Sequence, residues 1–147
     1  MNKILTLPDS ALFFKQPFGS AMFHEKLETR TYPTKKRGLV LICTSKAPYS
    51  FGKIASITGK PEIQLDLMAV VQSDETFSLN GYAIGVGYLK DCRRMTIKDE
   101  KRAFVKYYPE LWVWEFENVR RIEPFPLKGA LGFVPLSEEV KKQIEFI

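Results

Sequence analysis

The segment Glu25-Lys26-Leu27-Glu28-Thr29-Arg30 carries an amine, two carboxylates, a hydroxyl and a guanidinium in six consecutive residues. Side chains alternate along a strand, so Glu28 and Arg30 share a face, where they either pair with each other or share a ligand. The guanidinium of Arg30 can grip a phosphate or a base edge at two points, which an ammonium cannot.

Cationic residues gather around this segment. Lys26, Arg30, Lys35, Lys36, Arg37 and Lys46 form a stripe opposed nearby only by Glu25 and Glu28. Such density suits a polyanion, because neutralising phosphates releases counterions. A second group, Lys90, Arg93, Arg94, Lys98, Lys101, Arg102 and Lys106, is diluted by Asp91, Asp99 and Glu100 and reads as a solvated, salt-bridged surface. Gln16 starts a helix and has an amide to offer a base. Ser45 and Lys46 end a strand with a hydroxyl and an amine, suited equally to a phosphate and to a plain strand end. Trp112 and Trp114 are able to stack bases, but with Phe116 they form an alternating stripe better suited to a core. A single histidine, His24, and two separated cysteines, Cys43 and Cys92, exclude a zinc site of ordinary ligand count and a His-activated nucleophile. No phosphate-binding glycine loop is present, since Gly81, Gly85 and Gly87 fall within a strand. No metal or cofactor is expected.

The elements that must position these groups follow from periodicity. Residues 5 to 8 suit a short strand or arm. Pro17 suits the first turn of a short helix reaching His24. Leu27 to Tyr32 alternates as a strand ending at Pro33. Leu39 to Thr44 is a continuous apolar run suited to a strand buried on both faces. Residues 46–80 are punctuated by Pro48, Gly52, Gly59, Pro61 and Ser73, and Leu65 to Val71 fits helix and strand alike; the segment is expected to be an insertion on the core fold. Gly81 to Leu89 suits a tightly curved strand. Thr96 to Asp99 has capping-box spacing and predicts a helix to Tyr107. Leu111 to Phe116 is a strand, Pro124 to Gly129 a loop, and Ser137 caps a last helix with Val140, Ile144 and Ile147 in one stripe. Short strands without a βαβ rhythm predict an α+β fold, a small barrel with short helices at its rim.

The ordered set Gln16-Pro17-Phe18, Lys26-Leu27-Glu28-Thr29-Arg30, Arg37-Gly38-Leu39-Val40-Leu41-Ile42, Gly81-Tyr82-Ala83-Ile84-Gly85-Val86, Trp114-Glu115-Phe116 and Pro126-Leu127-Lys128-Gly129 resembles an ASCH domain, the activating-signal-cointegrator homology family of the PUA-like superfamily. The resemblance implies a PUA-like β-barrel, a cleft beside the first helix, and a role in binding RNA or DNA. Some proteins of this type are hydrolases: amidohydrolases that deacetylate a modified cytidine, or ribonucleases. Their Lys and, three residues on, Thr have no match in register here. Anchored on Arg30, the comparison puts Glu25 and Glu28 in those places, and a shift of one restores Lys26 and Thr29 but loses Arg30.

The chain has 147 residues, 45% of them hydrophobic and 27% charged, as a single globular domain requires. Its net charge of +5 fits a polyanion partner and fits plain solubility equally. Two cysteines, no apolar run long enough to span a membrane, and no signal-like start predict a reduced, cytoplasmic protein. The sequence thus predicts one ASCH/PUA-like domain over residues 1–147, with 46–80 inserted, that binds nucleic acid, RNA ahead of DNA. Lys26, Arg30 and Arg37 would hold phosphates, and Gln16, Glu28 and Thr29 would line the pocket. The alternatives are the hydrolysis of a modified nucleoside or RNA that the resemblance implies, using Lys26, Thr29 and Asp99 or Glu100, and a protein-interaction role; no membrane partner is expected.

Overall fold

A computed structural model describes residues 7–147. It is an α+β fold in which a six-stranded mixed sheet curls into a half-barrel with short helices around it. The strands are β1 (Ser10–Phe14), β2 (Glu28–Arg30), β3 (Gly38–Thr44), β4 (Tyr82–Arg94), β5 (Trp112–Pro126) and β6 (Val134–Pro135). Their order across the sheet is β2-β5-β4-β3-β1-β6, with β1 parallel to β3 and every other pair antiparallel.

The apolar run at Leu39 to Thr44 is a central strand, and its alternation divides two cores. Val40 and Ile42 face inward with Leu12, Phe14, Ile84, Trp114 and Phe116. Leu41 and Cys43 face the other way with Ala11, Phe13, Val86, Ile122 and Phe125, a layer that the C-terminal helix α5 (Glu138–Gln143) covers with Val140. Leu41, Cys43, Ile84, Val86 and Trp114 are all buried, as a strand-rich barrel requires. The curl comes from β4 and β5, whose pairing slips at three places, each irregularity adding local twist. Gly85 lies where the curled sheet presses on the first helical turn. A Cβ there would sit 2.8 Å from both the Arg120 carbonyl and the Phe23 ring.

Residues 46–80 hold two helices, α2 (Phe51–Thr58) and α3 (Pro61–Val71). Ser50 caps α2, Gly59 stops it at φ 70°, and Pro61 opens α3, so the turn residues act as punctuation between helices. Leu65 to Val71, which fits either element by pattern, is helical. Ile54, Ile63, Leu67 and Val71 pack with Phe18 and Ala21 of α1 (Phe18–Ala21), and with Leu27, Val105 and Val113. The segment is therefore part of a shared core.

Four expectations need correction. Of the arm proposed at residues 5–8, Leu5 and Thr6 lie outside the described residues, and Leu7 and Pro8 are not in a strand. The first described strand is Ser10–Phe14, whose five uniformly buried residues show no alternation for periodicity to detect. The helix expected from Thr96 to Tyr107 keeps its capping box but becomes one 3-10 turn and a four-residue helix α4 (Glu100–Ala103). Phe104 takes a left-handed conformation at φ 56° and ends it. The loop expected from Pro124 is still strand to Pro126. Ile147 leaves the C-terminal stripe and is 71% exposed, because the chain turns extended at Ile144.

Candidate functional site

The curl brings β2, one edge of the sheet, near β1, the strand next to the other edge. No ladder joins these strands, and the Arg30 guanidinium spans the seam, donating to the Phe13 carbonyl at 3.2 Å. The seam opens into a cleft of about 290 Å³. Phe14 and Phe18 line it in contact with the charged groups Lys26, Glu28 and Arg30, and Phe13 brings its carbonyl to the seam.

The charged side is a buried line of three groups. Glu28 Oε1 accepts from Lys26 Nζ at 3.0 Å, and Oε2 accepts from Arg30 Nε at 2.8 Å. Lys26 Nζ also donates to the Leu27 carbonyl at 2.9 Å and lies 5.0 Å from the Phe18 ring centre. Arg30 lies between aromatic rings, 5.3 Å from Phe14 and 5.5 Å from Trp114. Side-chain exposure is 0% for Lys26, 9% for Glu28 and 19% for Arg30, so water screens these charges poorly.

One carboxylate thus serves two cations. Burial pushes the Glu28 carboxyl up, but the charges of Lys26 and Arg30 outweigh it and hold the group below the usual carboxylate range. Burial pulls the Lys26 ammonium down, and the attraction of Glu28 only partly restores it, with Arg30 opposing. Burial also acts to lower Arg30, but Glu28 and Tyr32 more than offset this and raise it. The ionised trio carries a net positive charge in a poorly solvated place, and Lys26 is the member held least firmly in its charged form. An incoming anion would supply the missing negative charge.

Thr29, Ser45 and Tyr49 complete the cleft with hydroxyls that have no hydrogen-bond partner among the described residues, and Lys15 stands at the rim, its Nζ 5.5 Å from the Tyr49 ring centre. Burial raises the Tyr49 phenol, and the Glu28 charge raises it further, so it stays a neutral donor. The almost wholly exposed Leu131 flanks the opening.

The structure therefore brings Lys26, Glu28, Thr29, Arg30 and Ser45 into one cleft and leaves the other predicted residues outside it. Gln16 is buried, its Nε2 donating to Ser20 Oγ, the Thr76 carbonyl and the Leu79 carbonyl while its Oε1 accepts from the Ser20 amide. Its amide is consumed in tying α1 to the 46–80 segment. Lys36 pairs with Asp9 at 2.7 Å, Arg37 bonds the carbonyls of Thr34 and Lys36, and Lys35 and Lys46 are exposed. None of these four lines the cleft.

Asp99 and Glu100 are committed elsewhere too. Asp99 is chelated by Arg93 at 2.8 and 2.9 Å, which holds its carboxyl down to about 2. Glu100 binds Lys60 and the Tyr107 amide. Trp114 belongs to the core, stacked on Phe133, and Trp112 lies under Arg94. Periodicity missed Phe13, Phe14, Lys15 and Tyr49: the first three because β1 went unseen, and Tyr49 because it lies between elements. The one available signal is the run Phe13-Phe14-Lys15 directly before Gln16-Pro17.

No family model matches the chain, and no curated protein matches it.

Proposed function

We propose that the cleft binds a single-stranded nucleic acid, RNA ahead of DNA, in a domain of ASCH type. The supporting observation is the Lys26–Glu28–Arg30 line, packed against Phe18 and Phe14, in a cleft of about 290 Å³. That is close to the lower end of small-ligand cavities, about 300 Å³, and suits one nucleoside unit. An unstacked base can lie on the planar guanidinium of Arg30 and meet the hydrogen-bonding groups around it. Arg30 uses Nε for Glu28 and one N–H of NH2 for Phe13, and its guanidinium has further N–H donors to offer a base edge or phosphate. Lys15 and the hydroxyls of Ser45 and Tyr49 are placed for the sugar-phosphate.

The test is a binding screen with single-stranded RNA, single-stranded DNA and duplex DNA at two salt concentrations. Single strands should bind in preference to duplex, with log affinity falling against log salt by about 0.7 per phosphate contacted. A Lys15→Ala change should reduce that slope by about one contact and weaken all sequences alike. Equal binding of duplex and single strand would argue against a base-sized cleft.

Hydrolysis of a modified nucleoside is favoured by one observation: the Lys26 amine is buried beside the carboxylate of Glu28, in the same cleft as Thr29, and burial lowers its pKa. Asp99 and Glu100 are bound elsewhere, which leaves Glu28 as the carboxylate of such a set. Turnover of an acetylated cytidine, abolished by Lys26→Ala, would put hydrolysis first; the binding function predicts none.

A further inference from the structure

Lys15, Ser45 and Tyr49 line one rim of the cleft because the backbone holds their segments side by side. The Ser45 amide donates to the Phe14 carbonyl at 2.9 Å and the Tyr49 amide to the Gln16 carbonyl at 2.9 Å, so the chain is pinned on both sides of Lys15. The Lys15 ammonium is itself placed, donating to the Ala47 carbonyl at 3.0 Å and lying 5.5 Å from the Tyr49 ring centre. An ammonium has three donors, so others remain. The hydroxyls of Ser45 and Tyr49 have no partner among the described residues, and both residues are only half-buried. One ammonium and two hydroxyls thus each offer a donor to an occupant of this rim.

The charge around them is unbalanced. Three cations line the cleft, Lys15, Lys26 and Arg30, against the single carboxylate of Glu28, a surplus of two positive charges among the described lining residues. Lys26 is sealed from solvent and out of reach of an occupant; it acts only through its charge, which its surroundings screen poorly. The rim also stands alone. Lys35, Lys36, Arg37 and Lys46, which would extend a track of phosphate contacts, do not line the cleft, and Lys36 is held by Asp9.

We propose that the cleft takes the phosphorylated end of a nucleic-acid strand, with the terminal phosphate monoester on Lys15, Ser45 and Tyr49 and the base on Arg30. An internal phosphodiester carries one negative charge and has two non-bridging oxygens. A terminal monoester carries about −1.5 to −2 at pH 7 and has three strong acceptor oxygens. The monoester matches both the three donors and the surplus charge, whereas the diester leaves one donor and one charge unmatched. A strand passing through would also need phosphate contacts on either side, and the cleft has one station. End recognition rests on the proposed nucleic-acid role of the cleft and names which nucleotide of the strand it holds.

The experiment uses one single-stranded RNA sequence in four forms: 5′-phosphorylated, 3′-phosphorylated, hydroxyl at both ends, and closed into a circle. Wild type should bind at least one phosphorylated form about tenfold more tightly than the hydroxyl-ended form, and the circle no more tightly than the latter. That gain should vanish in Lys15→Ala and shrink in Ser45→Ala and Tyr49→Phe. Lys15 is exposed, so its variant should keep the wild-type melting temperature and serves if either of the others folds poorly. Arg30→Ala, which probes the cleft itself, should weaken every form. No gain from either phosphate, a circle bound as tightly as the phosphorylated strand, or a gain that persists in Lys15→Ala would each overturn end recognition and leave the cleft standing. No binding of any form, or no effect of Arg30→Ala on any of them, would overturn both. A nucleoside monophosphate that competes as well as the phosphorylated strand would also overturn both, in favour of a free nucleotide.

Discussion

Glu28→Gln is expected to lower the stability of the protein by about 3–5 kcal/mol, the range for removing one partner of a buried ion pair. Among the described residues Glu28 is the one anion lining the cleft, and it pairs with two cations, one with no side-chain exposure. Without its charge, the Lys26 ammonium and the Arg30 guanidinium face each other in the same poorly solvated space. Lys26 can relieve this by losing its proton, so the penalty depends on pH. The folded-state pKa of Lys26, already lowered by burial, drops further in the variant. A base with a lowered folded pKa destabilises the fold below that value, and the penalty fades as pH rises toward the unfolded lysine value of about 10.4. Urea unfolding of Glu28→Gln should therefore show a smaller deficit at pH 9.5 than at pH 7. Adding Lys26→Met should recover much of the loss at pH 7, because no buried ammonium then remains unpaired. A deficit under about 1 kcal/mol at pH 7 would mean that the seam does not depend on this carboxylate.

Asp74→Asn is expected to cost a similar amount, about 3–5 kcal/mol, at a different junction. The Asp74 side chain is fully buried. Its Oδ2 accepts from Arg121 at 2.7 Å and from His24 Nε2 at 2.8 Å, while its Oδ1 accepts from Arg121 at 3.1 Å and from the amide and hydroxyl of Thr76. One carboxylate so joins the 46–80 segment, the turn after α1 and strand β5. Burial pushes the carboxyl up, but the bonds from Arg121, Thr76 and His24 prevail and hold it far below its ordinary range. An acid with a lowered folded pKa contributes stability in full above its unfolded value of about 3.9 and loses it as pH falls further. Wild-type stability should thus decline below about pH 4, and the decline should be shallower in Asp74→Asn. Melting temperatures measured from pH 3 to pH 7 test both points. Parallel curves for the two proteins would remove Asp74 from the acid response.

The parts of this molecule that were legible in its sequence are those where one physical rule acts alone. Leu39 to Thr44 is a strand because a short, bounded apolar run has no better arrangement in a domain of this size. Gly85 and Gly87 mark the curved strand because close contacts leave no room for side chains. Strand β1 was not legible, since Ser10 to Phe14 is buried on both faces and carries no alternation. The helix after Thr96 failed for a local reason: its cap is correct, but Phe104 breaks it after four residues.

For the site, alternation placed Glu28 and Arg30 on a common face, and the structure pairs them. Charge density along the chain was a weaker guide. Lys35, Lys36 and Arg37 are near Arg30 in sequence, yet the turn between β2 and β3 carries them away from the cleft, and Lys36 is tied to Asp9. Lys26 was expected to meet phosphates as a surface cation but lies fully buried. That burial arises from the packing of α1 and Leu27 against the helices of 46–80, which no local pattern encodes.

The proposed site for single-stranded RNA is the cleft at the seam and not the basic surface at large. Arg30 and Arg94 offer a charge-matched comparison. Arg30 lines the cleft between Phe14 and Trp114, whereas Arg94 lies over Trp112 away from it and bonds the Pro109 carbonyl. The measurement is the affinity of wild type, Arg30→Ala and Arg94→Ala for one single-stranded RNA at fixed salt, each variant first checked for wild-type melting. Arg30→Ala should weaken binding by about 1–3 kcal/mol and blur preference among sequences, and Arg94→Ala should have little effect. Equal losses from the two changes, or no binding by the wild type, would contradict the claim.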